Sequence, residues 1–440
     1  MTVKRYLGRS AVLLAASALA LTACSSGSSD EGSESGSDQA YATDCGDNVD
    51  VAQPGPVSTD PLKIGTLLPA TGSLAFLGPP EFAGVKLGIQ DVNTAGGVLG
   101  KPVQEVQGDS GDDTTDTANA TVDRFLSDGT QVIIGAASSA VSLKVIDKIA
   151  SAGVVQFSPA NTSDQFICYK DRGQYFRTAP TDTLQAQALA QVMADDGVQR
   201  VSILARNEAY GTGLADNTVK SLEQAGIPSD QIQKIIYDPN AQSFNSEVDE
   251  VKNFNPDGIA VIGFDESAKI ITRMNEIGIG PNQKPVYGTD GNMGNALGEA
   301  VGPGLVRGMK GTTPLTDTGP QFAERIRAID PKLVDLNYAG ESYDAVVISA
   351  LAAEAAKSTN GKSIAAGINA VTRDGTKCKT YAECLPLVQR GEDIDYDGVT
   401  GELEFRAAGE PTVGSYGVLE FGQDNKVKVN GYKVVRLGDN

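Results

Sequence analysis

"QVIIGAASSAVSLKVIDKIASAGVVQFSPANTS", residues 131–163, holds the fold in miniature. "QVIIG" (131–135) is a short continuous apolar run, the pattern of a strand covered on both faces. Ser138 and Ser139 stand where a helix should begin, and serine is a preferred N-cap. "GVVQF" (153–157) is a second apolar run after that helix. A strand, a helix and a strand in so few residues describe a parallel pair joined by a right-handed crossover. Serines at such a turn either attack a substrate or hold one, and the rest of the chain has to decide between the two.

The same rhythm extends in both directions. "LKIGTLL" (62–68) reads as a strand, 80–95 as a helix stopped by Gly96 and Gly97, "KPVQEVQG" as a strand and 116–128 as a helix. Later come helices at 183–195, 211–225, 243–253 and 266–277, with strands at 200–205, 232–237 and 258–263 between them. Two such runs, 62–157 and 200–288, predict an α/β fold of two Rossmann-like lobes with parallel sheets. "FRTAPTD" near Pro180, "KGTTPLT" near Pro314 and "AAGEPTVG" (407–414) are polar, proline-containing junctions, expected as three crossings of a hinge. Lobe 1 is then 61–179 with 314–411, and lobe 2 is 180–313 with 412–440. A helical stretch over 320–371 and a strand-like tail over 417–435 complete the pattern.

Composition narrows the chemistry. The chain has 440 residues, 40% hydrophobic, enough for two lobes with a large core. Histidine is absent, which removes the usual general base for a serine nucleophile and the commonest transition-metal ligand. A net charge of −20 argues against nucleic acid, which needs a basic footprint.

The start of the chain reads as a targeting segment. Lys4, Arg5 and Arg9 precede "AVLLAASALAL" (11–21), too short to span a membrane as a mature helix. "LTAC", Leu21 to Cys24, resembles a bacterial lipobox, which implies a signal peptide over 1–23 and lipidation at Cys24. "SSGSSDEGSESGSDQ" (25–39) has almost no apolar residues, so 24–60 is expected to be a disordered tether. The mature protein is expected outside the cytoplasm, held on the outer face of the cell membrane by its lipid alone. Four cysteines remain, and in an exported domain they imply two disulfides. Cys378 and Cys384 lie six apart in "CKTYAEC", a natural local loop, which leaves Cys45 for Cys168.

In open parallel sheets, ligands bind beyond the carboxyl ends of the strands, beside helix N-termini. Those positions hold Phe76 and Leu77, Ser138 and Ser139, and Ala160 to Thr162 in the first run. In the second they hold Tyr210 ("ARNEAYG"), Phe264 ("VIGFDES") and Asp290 ("VYGTDG"). Hydroxyls and backbone N–H groups gather on one lobe, an aromatic hydroxyl and a carboxylate on the other. That set suits a zwitterion, whose carboxylate takes the hydroxyls and N–H groups and whose ammonium takes Asp290.

"IGTLLPATGSLAFLGPPEFAGVKLGIQDVNTAGGVLGKPV" resembles the opening of the type I periplasmic binding proteins of the leucine/isoleucine/valine-binding family, the receptors of amino-acid ABC importers. "IIGAASSAV", "FSPANTS", "FRTAPTD", "AYGTG", "VYGTDG" and "SYDAVVISALAAEAA" follow in the family's order, so the resemblance runs over about residues 61 to 440. It implies that Ser139 and Thr162 bind the ligand carboxylate with backbone groups near Ala160. It also implies that Tyr210 and Asp290 close over the ammonium and that Phe264 packs on the ligand. Leu77 stands where leucine binders usually carry an aromatic residue, Phe264 replaces a frequent tyrosine, and Asp290 is shorter than the glutamate of some members. The side-chain pocket is therefore left open, and relatives of the family also bind amides, urea and aromatic acids.

Each of these residues has a plainer reading. Ser138 and Ser139 are both placed to cap their helix, and one is expected to cap while the other faces the cleft. Thr162 and Asp290 sit in turn-forming sequence. "DIDYDGVTGELE" sets Asp393, Asp395, Asp397, Gly398 and Glu404 at EF-hand spacing. However, "GELEF" reads as a strand where an EF-hand needs a helix, and Thr400 holds a usually aliphatic position, so a tight polar turn is preferred and no metal is expected. The chain is thus read as a monomeric lipoprotein receptor without cofactor, binding an amino acid by hinge closure and docking on the transmembrane permease subunits of an ABC importer. A ligand sensor of the same fold is the alternative. An exported hydrolase using Ser139 is disfavoured, since it lacks a histidine, a G-x-S-x-G elbow and an S-x-x-K pair.

Overall fold

The computed structural model describes residues 45–438 apart from Asp47, so the expected signal peptide over 1–23 and lipidation at Cys24 lie outside the described residues. Along the first run β1 (Lys63–Leu68), α1 (Gly78–Thr94), β2 (Gln104–Asp109), α2 (Thr117–Ser127), β3 (Val132–Gly135), α3 (Ser139–Ser151), β4 (Val155–Ser158) and β5 (Tyr175–Arg177) alternate. Their strands form one parallel sheet in the order β2-β1-β3-β4-β5. β3 and β4 are buried at every residue, as their unbroken apolar runs require. Gly135 ends β3 with φ +127°, and a Cβ there would stand 2.0 Å from the Leu67 carbonyl oxygen, so only glycine lets the chain turn so close to β1.

The second sheet is fed by α4 (Asp182–Asp195), β6 (Val201–Arg206), α5 (Ala209–Gln224), β7 (Ile232–Tyr237), α6 (Asn245–Phe254), β8 (Gly258–Ile262), α7 (Ser267–Glu276), β9 (Val286–Gly288), α8 (Asn295–Val301) and β10 (Lys310–Pro314). The chain then runs through α9 (Gly319–Ile329), α10 (Ala339–Ala356), α11 (Gly361–Ile368), β11 (Thr376–Cys378), α12 (Tyr381–Gln389), β12 (Ile394–Tyr396), β13 (Phe405–Arg406) and β14 (Glu410–Pro411). It returns to the second sheet as β15 (Val413–Phe421) and β16 (Val427–Arg436), giving the order β16-β15-β10-β9-β8-β6-β7. This sheet is parallel from β7 to β10 and antiparallel at β10–β15 and β15–β16. The result is an α/β fold of two lobes, with the chain passing between the sheets after β5, after β10 and before β15.

The helical stretch expected over 320–371 is broken. Pro331 holds the residue before it, Asp330, in an extended conformation (φ −136°, ψ 102°) and ends α9, and α10 starts only after Tyr338, which is left-handed at φ 60°. α10 is buried around its whole circumference from Ala339 to Glu354, packed by α1, α11 and α12, which its many small residues allow. The strand expected at "GELEF" is reduced to Phe405–Arg406, because Gly398 to Gly401 close a tight turn first.

The disordered tether expected to run to residue 60 ends earlier. Lys170 Nζ donates to the Asn48 carbonyl (2.7 Å), the Arg172 N–H to Asp50 Oδ2 (2.7 Å), and the Thr359 N–H to the Ser58 carbonyl (2.8 Å). Ala52 is buried, and Cys45 is bonded to Cys168. A second disulfide, Cys378–Cys384, spans the turn into α12. The Cys45–Cys168 bond closes a loop with a sequence separation of 123 residues, so it restricts the unfolded chain strongly. Replacing both cysteines with serine is expected to lower the unfolding free energy by about 2–4 kcal/mol in chemical denaturation. It should also open residues 48–58 to limited proteolysis.

Candidate functional site

The site forms where the carboxyl ends of the two sheets face each other. On the first lobe, the turn after β3 and the loop after β4 are bound into one unit. Ser158 Oγ donates to the Ala136 carbonyl (2.7 Å) and receives the N–H groups of Ala160 (3.2 Å) and Asn161 (2.9 Å). Asn161 Nδ2 donates to the carbonyls of Ala136 (3.0 Å) and Ala137 (2.8 Å), and Tyr175 OH donates to Asn161 Oδ1 (3.0 Å). Beneath them the fully buried Arg177 donates through Nη1 to the carbonyls of Asn161 (3.2 Å) and Ser163 (2.8 Å) and through Nε to Glu410 Oε2 (2.7 Å).

This scaffold sorts the serines. Ser138 caps α3, its Oγ receiving the Val141 N–H at 3.4 Å. Ser139 Oγ, at the start of α3, lies against the loop 158–163, where the Ser163 N–H points at it from 3.4 Å. Among the described residues no general base stands beside it, and the chain has no histidine to supply one. The backbone N–H groups at Ala160 and Asn161, expected to reach the ligand, are instead taken by Ser158.

On the second lobe, Glu208 caps α5 through the N–H groups of Tyr210 (2.9 Å) and Gly211 (2.8 Å). Tyr210 OH donates to Asp290 Oδ1 (2.9 Å), and the Phe264 ring stacks on the Tyr210 ring at 5.5 Å. Arg206 covers the other face of Phe264, with Cζ 3.6 Å from the ring centroid, and is held by Glu208, by Glu266 and by Asp113 of the first lobe at 3.6 Å. Leu77 and Ala160 join Tyr210 and Phe264 in one apolar cluster with Leu74, Ala137 and Tyr338.

Residues that the sequence reading passed over complete the site. Asp290 is buried and accepts from Gln185 Nε2 (2.8 Å) and Tyr338 OH (2.8 Å) as well as Tyr210. Three of about four lone-pair directions are therefore used, and one on Oδ2 stays open. Asp182 follows the expected hinge junction "FRTAPTD", and its N–H donates to the Thr162 carbonyl (2.7 Å). Both its carboxyl oxygens are buried without a partner in hydrogen-bond geometry among the described residues, and Oδ2 would stand 3.4 Å from a Cβ at Gly213. Burial pushes the Asp182 carboxyl well above its usual range, with Asp164 adding to the rise and the Thr162 hydroxyl opposing it. Burial raises Asp290 too, against the hydrogen bonds from Tyr338, Gln185 and Tyr210. "PTD" gave a signal, an acid at a helix start, but it read as linker. Tyr338 was hidden inside an expected helix.

The EF-hand-like carboxylates converge, but on an ammonium. Lys377 Nζ lies 2.6 Å from Asp395, 3.0 Å from Asp397 and 3.0 Å from Glu404. Gly398 is required by Asp344, whose carboxylate a Cβ would meet at 2.3 Å while it accepts the N–H groups of Val399 and Thr400.

The family model described as periplasmic binding protein matches residues 61–424. The chain belongs to this family of solute-binding proteins. Among curated relatives of this periplasmic binding protein, Leu/Ile/Val-binding protein homolog 2 of Brucella abortus is 26% identical over 83% of this chain and 92% of its own. The chemotactic signal transduction system substrate-binding protein BasB of Halobacterium salinarum is 25% identical over 80% of this chain and 86% of its own. Among solved structures, a leucine binding protein of Thermotoga maritima superposes with a TM-score of 0.71 at 22% identity, covering 86% of this chain and all of that one. A benzoate-bound solute binding protein of R. palustris superposes at 0.66 with 19% identity, covering 87% of this chain and 98% of that one. These two likenesses are of fold.

Two outcomes are expected of this periplasmic binding protein. A carboxyl whose pKa is higher folded than unfolded holds its proton more tightly in the native state, so its stabilisation is lost as pH rises through the folded value. Burial lifts Glu208 to about 7 and Glu341 to about 8, and Asp182 and Asp290 move the same way. The melting temperature of the unliganded protein should therefore fall between about pH 4.5 and the upper of these values, as calorimetry across that range would read. Secondly, Lys377→Met leaves three carboxylates facing one another. That variant should melt lower than the parent, and it, unlike the parent, should be restabilised by added calcium.

Proposed function

We propose that this chain is an extracytoplasmic receptor of an ABC importer, anchored by lipidated Cys24, that binds an α-amino acid with a small apolar side chain between its lobes. The observation that carries the reading is the opposition of charge preferences across the cleft. The pair Asp182 and Asp290, buried with acceptor capacity unused, asks for an ammonium. The Ser139 hydroxyl, whose oxygen accepts the Ser163 N–H, keeps its own hydrogen to donate, and with Thr162 it would meet the ligand's carboxylate. Leu74, Leu77, Phe264 and Tyr338 leave an apolar wall for the side chain. The mechanism is hinge closure: the ligand is held first by the hydroxyl lobe, and the second lobe then brings Tyr210 and Asp290 over it. The closed form would dock on the permease. No covalent step is involved.

The Leu/Ile/Val-binding relatives support an amino acid, branched-chain or related. The similarity to a chemotactic substrate-binding protein supports a second use, in which the same closed form is presented to a signalling partner.

A thermal-shift screen over amino acids, amides, urea and small aromatic acids tests the ligand class, since a true ligand raises the melting temperature with concentration. In calorimetric titration, Asp290→Ala and the near-isosteric Asp182→Asn should each raise Kd by about thirtyfold or more, the effect of stripping a buried ammonium of its partner. An unchanged Kd in both variants would sink the zwitterion reading.

A further inference from the structure

Another cavity, of about 380 Å³, lies at the start of α10, where Asn337, Gly340 and Glu341 line it. Its walls come from both lobes: the crossing after β10 and α9, the start of α10, and the outer strands β15 and β16. None of Ser139, Thr162, Asp182, Tyr210, Phe264 or Asp290 lines it. Glu341 does, one turn into α10, and it is only 5% exposed. Among the described residues, no other side chain forms an ion pair or hydrogen bond with its carboxyl. Glu81 stands close enough to add to the charge problem. It is fully buried, both its oxygens are without a partner, and Glu341 contributes to raising its pKa after burial itself. Burying two neighbouring carboxyls with no cation is costly unless a proton or a ligand cation neutralises them.

The remaining lining points the same way. Of the other charged groups, Asp335 and Asp317 are acidic and engaged with Asn295 and the Gly319 N–H, and Arg327 is exposed. Besides polar residues such as Asn295, Thr316 and Asn337, the lining includes three large hydrophobic residues left open to solvent: Val334 (60% exposed), Val429 (45%) and Tyr432 (43%). A volume of this size suits a small ligand with one polar anchor and an apolar body. We propose that this cavity is a second binding site, for a small organic ammonium ion with an apolar or aromatic tail, whose cationic head sits against Glu341 and whose tail covers Val429 and Tyr432. The site is independent of the amino-acid reading of the main cleft.

The chain has no tryptophan, so Tyr432→Trp, a surface substitution that keeps the aromatic ring, places a lone fluorophore on the cavity rim. Titrating that full-length variant with phenethylamine at neutral pH should give a saturable fluorescence change in the millimolar range or below. 2-Phenylethanol, which has the same body without the charge, should bind at least about tenfold more weakly. Adding Glu341→Gln should remove that preference, with the melting temperature confirming that the variant folds. Calorimetry on the parent chain should give the same order, with Tyr432→Ala weakening phenethylamine. No saturable signal, equal binding of the alcohol, or unchanged binding in Glu341→Gln would each overturn the proposal.

Discussion

Desolvated negative charge at the meeting of the lobes is the constraint on which the rest of this structure turns. Asp164, Asp182 and Asp290 are all buried there, and Arg177 is the cation that bears on Asp164 and Asp182. Carboxylates survive such burial only when hydrogen bonds or counter-charges replace water. Asp164 is served by Thr183 (2.7 Å) and Asn217 (2.7 Å), and Asp290 by two tyrosines and a glutamine. Among the described residues neither carboxyl oxygen of Asp182 has a partner in hydrogen-bond geometry, and only the Thr162 hydroxyl and Arg177 act to ease its burial. The imbalance is local to Asp182, and in the proposed reading it favours a positively charged group before any side-chain pocket is considered.

The opposite lobe is organised to present donors, and one ion pair is responsible. Arg177 and Glu410 are both fully buried, and the arginine uses its remaining N–H groups to hold the carbonyls of Asn161 and Ser163 inward. With its carbonyls turned toward Arg177, the loop is fixed beside Ser139, whose oxygen the Ser163 N–H approaches. Removing one partner of such a pair leaves an uncompensated buried charge, so Glu410 in β14 shapes a loop far from it in sequence. The same logic recurs at Lys377, where an internal ammonium satisfies three carboxylates that by spacing alone resemble a metal loop.

Much of this was legible in the sequence. Fully buried parallel strands carry unbroken apolar runs, so β1, β3, β4, β6 and β8 were found, and glycine stops located the helix ends. Short strands such as β5 and β11 contain too few residues to show a period and were missed. Ser139, Thr162, Tyr210, Phe264 and Asp290 were singled out as candidates because each follows a readable strand. Tyr338 and Gln185 were not, since each approaches Asp290 from a helix or its edge, and only the packing of α10 and α4 brings them there. The proline that breaks 320–371 was visible, but apolar composition on both sides outweighed it.

The polar contacts between the lobes also say how closure is balanced. Ser163 Oγ donates to the Ala209 carbonyl (3.0 Å), Asn295 binds Asp335 (2.6 Å), and Arg206 reaches Asp113 (3.6 Å). Each such contact contributes about 1 kcal/mol net, because the open form would satisfy the same groups with water. Against them stands the cost of drying Asp182 and Asp290 together. In the empty protein these contacts and this cost oppose each other, and protonation of the carboxyls eases the cost. In the proposed mode an ammonium between the two carboxylates removes the opposing term while leaving the contacts in place. In that mode the ligand would decide closure through charge, and the apolar wall at Leu77 and Phe264 would decide which ammonium-bearing molecule is held longest.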